Sequence, residues 1–125
     1  MKVQPILVTA IDASAAATTT SQAINVENAE KVTLLLTRTL HSSGSTAFTV
    51  TASVDGTTFI AVNTIVDNVT NTNAQDLTRV ASATLSSNTS KMYALDIANF
   101  GYKEIKVVAT RTTDGSATAK VLIEV

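Results

Sequence analysis

The side chains able to do chemistry are few and scattered. Five aspartate and asparagine side chains crowd into the stretch DNVTNTNAQD, namely Asp67, Asn68, Asn71, Asn73 and Asp76. Hard oxygens of this kind suit calcium, which gathers about six to eight of them. The stretch lacks the spacing, the central glycine and the closing glutamate of an EF-hand loop. It therefore reads as a solvated connection, and no metal or cofactor is expected. His41, at the head of HSSGS, is the single histidine, and there is no cysteine. Alone it completes neither a zinc set nor a histidine acid–base pair. A serine hydrolase would need it beside a strained Gly-x-Ser-x-Gly elbow, and the sequence has none. We expect His41 in a hairpin loop, no catalytic residues, and no enzyme.

Two aspartates precede glycine, Asp55-Gly56 and Asp114-Gly115. Such pairs tolerate positive φ and let the aspartate bond its own backbone, so they mark turns. In TASVDGTTFIAV a two-residue turn pairs Val54 with Thr57 and Ala52 with Phe59, which keeps Phe59 on the Val50/Val54 face. At the second pair a two-residue loop would set Ile105 and Val107 beside Glu124 and Leu122. A three-residue loop, Thr113-Asp114-Gly115 with a left-handed glycine, sets Val107 against Val121 and Ile105 against Ile123 instead. A one-residue slip exchanges the two faces, so the pattern selects the longer loop. Both aspartates are expected to shape turns and to ligate nothing.

Other binding classes fare no better. Sugars and single-stranded nucleic acids are held on aromatic platforms, and here tryptophan is absent and aromatics make up 4%. Phe48, Phe59 and Tyr93 fall on strand positions and read as core. Phe100 and Tyr102, in NFGY, read as a turn that plugs the end of the domain or meets a neighbour. A net charge of −1 provides no clustered basic face for nucleic acid. No apolar run approaches the roughly 20 residues of a membrane-spanning helix. The opening MKVQPILVTAIDASA imitates a signal peptide, but Gln4 and Pro5 interrupt its apolar run and Asp12 closes it, so it is expected to be kept. The glycosylation patterns Asn68-Val69-Thr70 and Asn88-Thr89-Ser90 are chance matches in an Asn- and Thr-rich chain. The missing cysteines exclude disulfides and are compatible with synthesis in a reducing compartment.

The elements that must position these residues are strands. In TAFTVTASV, Phe48, Val50, Ala52 and Val54 share one face while Thr49, Thr51 and Ser53 share the other, as in a half-buried antiparallel strand. Similar runs occupy residues 5–11, 22–26, 31–40, 57–62, 77–85, 91–97, 103–111 and 118–125. About nine short strands separated by turn signals predict an all-β antiparallel sandwich, jelly-roll or immunoglobulin-like. The predicted core includes Leu34, Leu36, Val50, Val54, Phe59, Leu95, Ile105, Val107 and Val121. Residues 1–20 read as an N-terminal strand or extended arm and 21–125 as the sandwich domain. Val3, Ile6 and Val8 are candidates to pair with a neighbour's open sheet edge. Charged residues are only 15% of the chain, against about 25% in ordinary domains. Neutral hydroxyl and amide groups take their place, which suits packing among many copies.

Three segments in order, ATTTSQAINVENAEKVTLLLTRT, FTVTASVDGTTFIAV and YKEIKVVATRTTDGSATAKVLIEV, resemble small virion proteins of tailed bacteriophages. These have a small-residue lead, a strand opening on a charged residue, a Val-Asp-Gly hairpin and a closing hairpin. The resemblance covers most of residues 15–125 and includes no motif of invariant chemistry. It implies a non-enzymatic capsid decoration (cement) protein in the virion, assembled in the host cytoplasm. It further implies the major capsid protein or other virion subunits as partners and a homo-oligomer, with a trimer favoured. Nucleic acid and membrane are not expected partners. The competing expectation is a tail- or surface-associated sandwich that recognises a host glycan or protein, against which the scarcity of aromatics weighs.

Overall fold

The computed structural model describes residues 4–67, 79–97 and 101–125. Of the oxygen-rich stretch only the backbone of Asp67 is included. Asn68, Asn71, Asn73, Asp76, Val3, Phe100 and the Asn68-Val69-Thr70 pattern lie outside the described residues. Among those described there is no helix, and twelve strands are formed: β1 (Ile6–Ser14), β2 (Thr18–Thr20), β3 (Ile24–Asn25), β4 (Lys31–Thr39), β5 (Thr46–Ser53), β6 (Ile60–Ala61), β7 (Ile65–Asp67), β8 (Arg79–Val80), β9 (Ser82–Leu85), β10 (Thr89–Leu95), β11 (Glu104–Arg111) and β12 (Ser116–Glu124). The count exceeds nine because β2 and β7 come from stretches without clear alternation. In addition, the 77–85 run splits into β8 and β9.

Period-two patterning produces the two layers. In β4, Val32, Leu34, Leu36 and Arg38 are buried, and the residues between them are not. In β11 the same holds for Ile105, Val107 and Ala109. One antiparallel sheet is ordered β1-β12-β4-β10-β7-β8, and the other β2-β11-β5-β6, with β3 also on β11 and β9 also on β5. The pairing is nested. β1 lies against β12, β2 and β3 against β11, β4 against β10, and β5 against β9. The first half of the chain therefore runs back along the second in reverse order, as a long hairpin wound around its own core. That winding is a jelly roll. The insertion carrying β6, β7 and β8 widens both sheets between the partners β5 and β9.

Several expectations are corrected. β11 and β12 form no hairpin, since they lie in different sheets and Thr113-Asp114-Gly115 crosses between them. The parity argument located their faces correctly, because Val107 and Val121 both reach the core whether two strands pair or oppose. His41 likewise sits in a connection between sheets, not in a hairpin. β5 and β6 do pair, but Ala52 lies opposite Ile60 and Thr51 opposite Ala61. This is one residue from the expected register, and one residue exchanges the faces. Phe59 is consequently half-buried, its ring 4.2 Å beneath the Lys106 ammonium. Val54 keeps the inward parity but lies past the end of β5 and is 74% exposed.

The other seven predicted core residues are buried, joined by Phe48 and Tyr93. The 5–11 run forms a strand on its own chain, antiparallel to β12, with Ala10 and Ile11 in the core. Irregularities at Thr9/Ile11 and Ile11/Ser14 bend it toward β2 in the second sheet. Truncating residues 1–20 thus removes an edge strand together with core side chains.

The two phenylalanines separate by burial. Phe48→Ala should cost about 3–5 kcal/mol, as for a ring lost from a packed core. Phe59→Ala should cost about 1–2 kcal/mol, from partial burial and a cation–π contact. Denaturant titration of both variants measures this, and equal losses would return Phe59 to the core.

Candidate functional site

At one end of the sandwich, Arg38 holds the position where the inward pattern of β4 would place another aliphatic residue. Its side chain has no exposed surface. A buried guanidinium must find acceptors for its donors. Nε donates to His41 Nδ1 at 3.2 Å. Nη1 donates to Thr46 Oγ1 and to the Asp114 carbonyl, both at 2.7 Å. Nη2 donates to the Ser43 carbonyl at 2.9 Å and to His41 Nδ1 at 3.0 Å, with Asp114 Oδ1 at 3.4 Å. These acceptors come from the β4–β5 connection, the start of β5 and the β11–β12 connection. Arginine cannot accept a bond, so Nδ1 of His41 presents its lone pair to Arg38 and is occupied.

Asp114 completes the arrangement from outside by accepting the Ser42 amide at 3.0 Å and the Ser43 amide at 3.3 Å. The Ser42 amide chiefly, with the Ser43 amide and the Arg38 charge, holds its carboxyl below the ordinary carboxylate range against partial desolvation. Gly115, at φ 109°, leaves room for the guanidinium, since a Cβ there would lie 2.2 Å from Arg38 Nη1. Asn88, from the expected chance glycosylation pattern, accepts the His41 amide at 2.8 Å. The cluster is a structural lock. Sequence reading missed Arg38, although Val32, Leu34, Leu36 and Arg38 on one face were the available signal.

At the opposite end Asp55 behaves as its turn chemistry predicts. Its Oδ1 accepts the Thr57 and Thr58 amides at 2.8 Å each and the Ser53 hydroxyl at 2.9 Å. These donors, the two amides foremost, lower its pKa to about 2. Ala52, Val54, Ile60, Val62 and Tyr102 line an open, mainly apolar depression of about 560 Å³ with Asp55 and Thr58 at its rim. Burial first, then the Asp96 carboxylate, raises the Tyr102 hydroxyl pKa. Among the described residues no three His, Cys, Asp or Glu side chains converge as a metal site. His41, Asp55 and Asp114 are thus not brought together. His41 and Asp114 meet at the lock, and Asp55 lies at the other end.

No protein-family model matches this chain, and no curated protein does. Solved structures do share its fold. YomS, a protein derived from the SPBc2 prophage, superposes with a TM-score of 0.61 at 16% identity, over 99% of this chain and 98% of YomS. The PBSX exported protein XepA gives 0.56 at 14% identity, over 96% of this chain and 37% of XepA. A chain of infectious bursal disease virus, Gx strain, gives 0.56 at 13% identity, over 99% of this chain and 34% of the viral one. This chain therefore spans YomS nearly end to end and about a third of each of the others. At such identities the likeness is one of fold.

Two measurements probe the ends. Arg38→Ala should cost about 3–5 kcal/mol, from the cavity left by a large buried side chain and the lost donors to the Thr46 hydroxyl and the Ser43 and Asp114 carbonyls. Arg38→Lys should recover only part of it, because an ammonium cannot reproduce the planar fork of donors. Full recovery in denaturant unfolding would mean that charge alone, not the fork, holds the loops. The acid limb tests the aspartates. Both folded pKa values lie below the unfolded 3.8, so their stabilisation is present above that value and is lost as pH falls through the folded ones, which for Asp55 is about 2. Asp55→Asn should flatten the stability curve across that window, and an unaltered slope would contradict the assignment.

Proposed function

We propose that this chain is a non-enzymatic structural subunit of a bacteriophage particle, and specifically a decoration (cement) protein that binds the assembled head. The observation that carries the proposal is the end-to-end correspondence of fold with the prophage-derived YomS. The chain's own surface supports it. The outer face of the second sheet displays Thr18, Thr20, Thr49, Thr51 and Thr110 on paired strands. A hydroxyl-rich face, on which the charges of Glu104 and Lys106 offset each other, is suited to close packing with a capsid lattice. The groups with chemical potential, His41, Asp55 and Asp114, are engaged in holding loops.

A protein that binds only the assembled lattice stabilises that lattice by mass action, with no turnover. The partner would be the major capsid protein or another virion subunit, and each contact should bury at least the roughly 1,000 Å² of a specific interface. The alternative, a surface module for a host glycan or protein, draws on one feature, the depression beside Tyr102. Its apolar walls provide few partners for sugar hydroxyls, which favours the structural reading.

The test compares purified particles made with and without this chain. Mass spectrometry should find it in the particle at stoichiometric copy number, and particles lacking it should release DNA at a lower temperature. Absence from every particle fraction would refute the proposal, and a glycan-array signal abolished by Tyr102→Ala would support the alternative.

A further inference from the structure

Among the described residues, the strands at free sheet edges are short, with one exception. β8, β2, β3, β6 and β9 span two to four residues each. β1 spans nine and pairs with β12 alone. Natural sheets blunt a long edge with charge, proline or a bulge, because its unpaired amides and carbonyls are a template for another strand. Here Pro5 precedes the strand and the irregularity at Thr9/Ile11 bends it, but between them Ile6-Leu7-Val8-Thr9 carries no charge. Ile6, level with buried Ile123, takes the inner face and is still 53% exposed, while Leu7 on the outer face is 61% exposed. Apolar residues on both faces are the pattern of a strand inside a sheet, not of one at its edge.

We infer that two copies of this chain join edge to edge along β1, antiparallel and centred on Leu7, so that their first sheets become one. An unpaired backbone edge calls for another strand, and the register of β1 on β12 selects its own copy. Antiparallel partners share a face, so the two-fold axis must stand level with a residue. An axis at Leu7 sets Leu7 against Leu7 and Ile6 against Val8. Across the joint the outer row then reads Leu122, Leu7, Leu7, Leu122, and each inner row reads Ile123, Ile6, Val8, Val121. In the flanking outer rows Lys120, beside Thr9, comes into line with Glu124 of the other copy, one residue beyond Ile123. Three strand spacings separate their Cα atoms, about 14 Å, which the two long side chains shorten to within a Debye length. The symmetry makes this opposite-charge pair twice. An axis at Val8 would instead set Pro5 against Ile11, past the irregularity, and Lys120 in line with Leu122. Leu35 and Met92 are also exposed on this outer face, but β4 and β10 are paired on both sides and offer no free backbone. The contact is isologous and closes at two copies. A joint this short is smaller than a standard interface, so the dimer is weak and concentration-dependent. It does not require attachment to a particle.

The chain has no cysteine, so single introduced cysteines report the joint. Opposed antiparallel residues lie about 4.5–5.5 Å apart at Cα, within disulfide range. In a glutathione redox buffer Leu7→Cys should give a disulfide-linked dimer. Thr9→Cys should not, since its two copies would lie about 14 Å apart. A mixture of Pro5→Cys and Thr9→Cys should cross-link as the heterodimer. Sedimentation velocity across a concentration series should show reversible wild-type dimers. Leu7→Lys, a charge placed on the exposed edge, should be monomeric with an unaltered melting temperature. Lys120→Glu should weaken the dimer, and adding Glu124→Lys should restore it. Equal trapping at positions 7 and 9, a Leu7→Lys variant that dimerises like wild type, or a wild type monomeric at its highest soluble concentration would each overturn the inference. So would a Leu7→Cys chain that cross-links, in purified particles, only to a different polypeptide, which would make the edge a site for another virion subunit.

Discussion

A guanidinium with no exposed surface dictates the geometry at one end of this sandwich. Burying an unpaired charge would cost more than a small domain has to spend, so Arg38 must be surrounded by oriented acceptors. Those acceptors sit on connections that cross between the sheets, far apart in sequence. Satisfying one side chain therefore fixes where β4 leaves the first sheet, where β5 enters the second, and where β11 hands over to β12. The positive φ values at Leu40, Gly44, Thr113 and Gly115 cluster in the same two connections. A Cβ at Gly44 would meet the Thr112 carbonyl, as one at Gly115 would meet Arg38. Close approach of the loops and burial of the charge are the same constraint.

The other end is built on a different principle. There a carboxylate organises its own turn through local amides. Ser53, Asp55, Thr57 and Thr58 satisfy one another within a few residues. The inner sheet face is left partly uncovered, which opens the apolar depression. A jelly roll with one end sealed by a buried charge and the other open presents two different surfaces.

The broad faces are consistent with a role fulfilled by surface. Threonines on the outer face of the second sheet favour the extended backbone. The likeness spans nearly the whole of YomS, whereas in XepA and the bursal disease virus chain it covers about a third of a longer polypeptide.

Alternation by itself determined the class of fold and most of the core. Leu34, Leu36, Val50, Ile105, Val107 and Val121 are buried because a strand's side chains take opposite faces, a rule that needs no knowledge of the partner strand. Asp55 as a turn residue was legible for the same kind of reason, since the bonds it makes are to neighbouring amides, whereas the Asp114 carboxylate accepts the Ser42 and Ser43 amides of a connection distant in sequence. What parity does not carry is which strand lies beside which. Val107 faces Val121 equally well across a hairpin or across a sandwich, so the handover of β11 to the other sheet was invisible. The slip that set Ile60, not Phe59, opposite Ala52 arose in the loop, where no alternation exists to fix the count. Arg38 shows the limit most clearly. Its inward position was written in the pattern of β4, but its five donors are satisfied by groups up to 76 residues away, and only the folded chain brings them together.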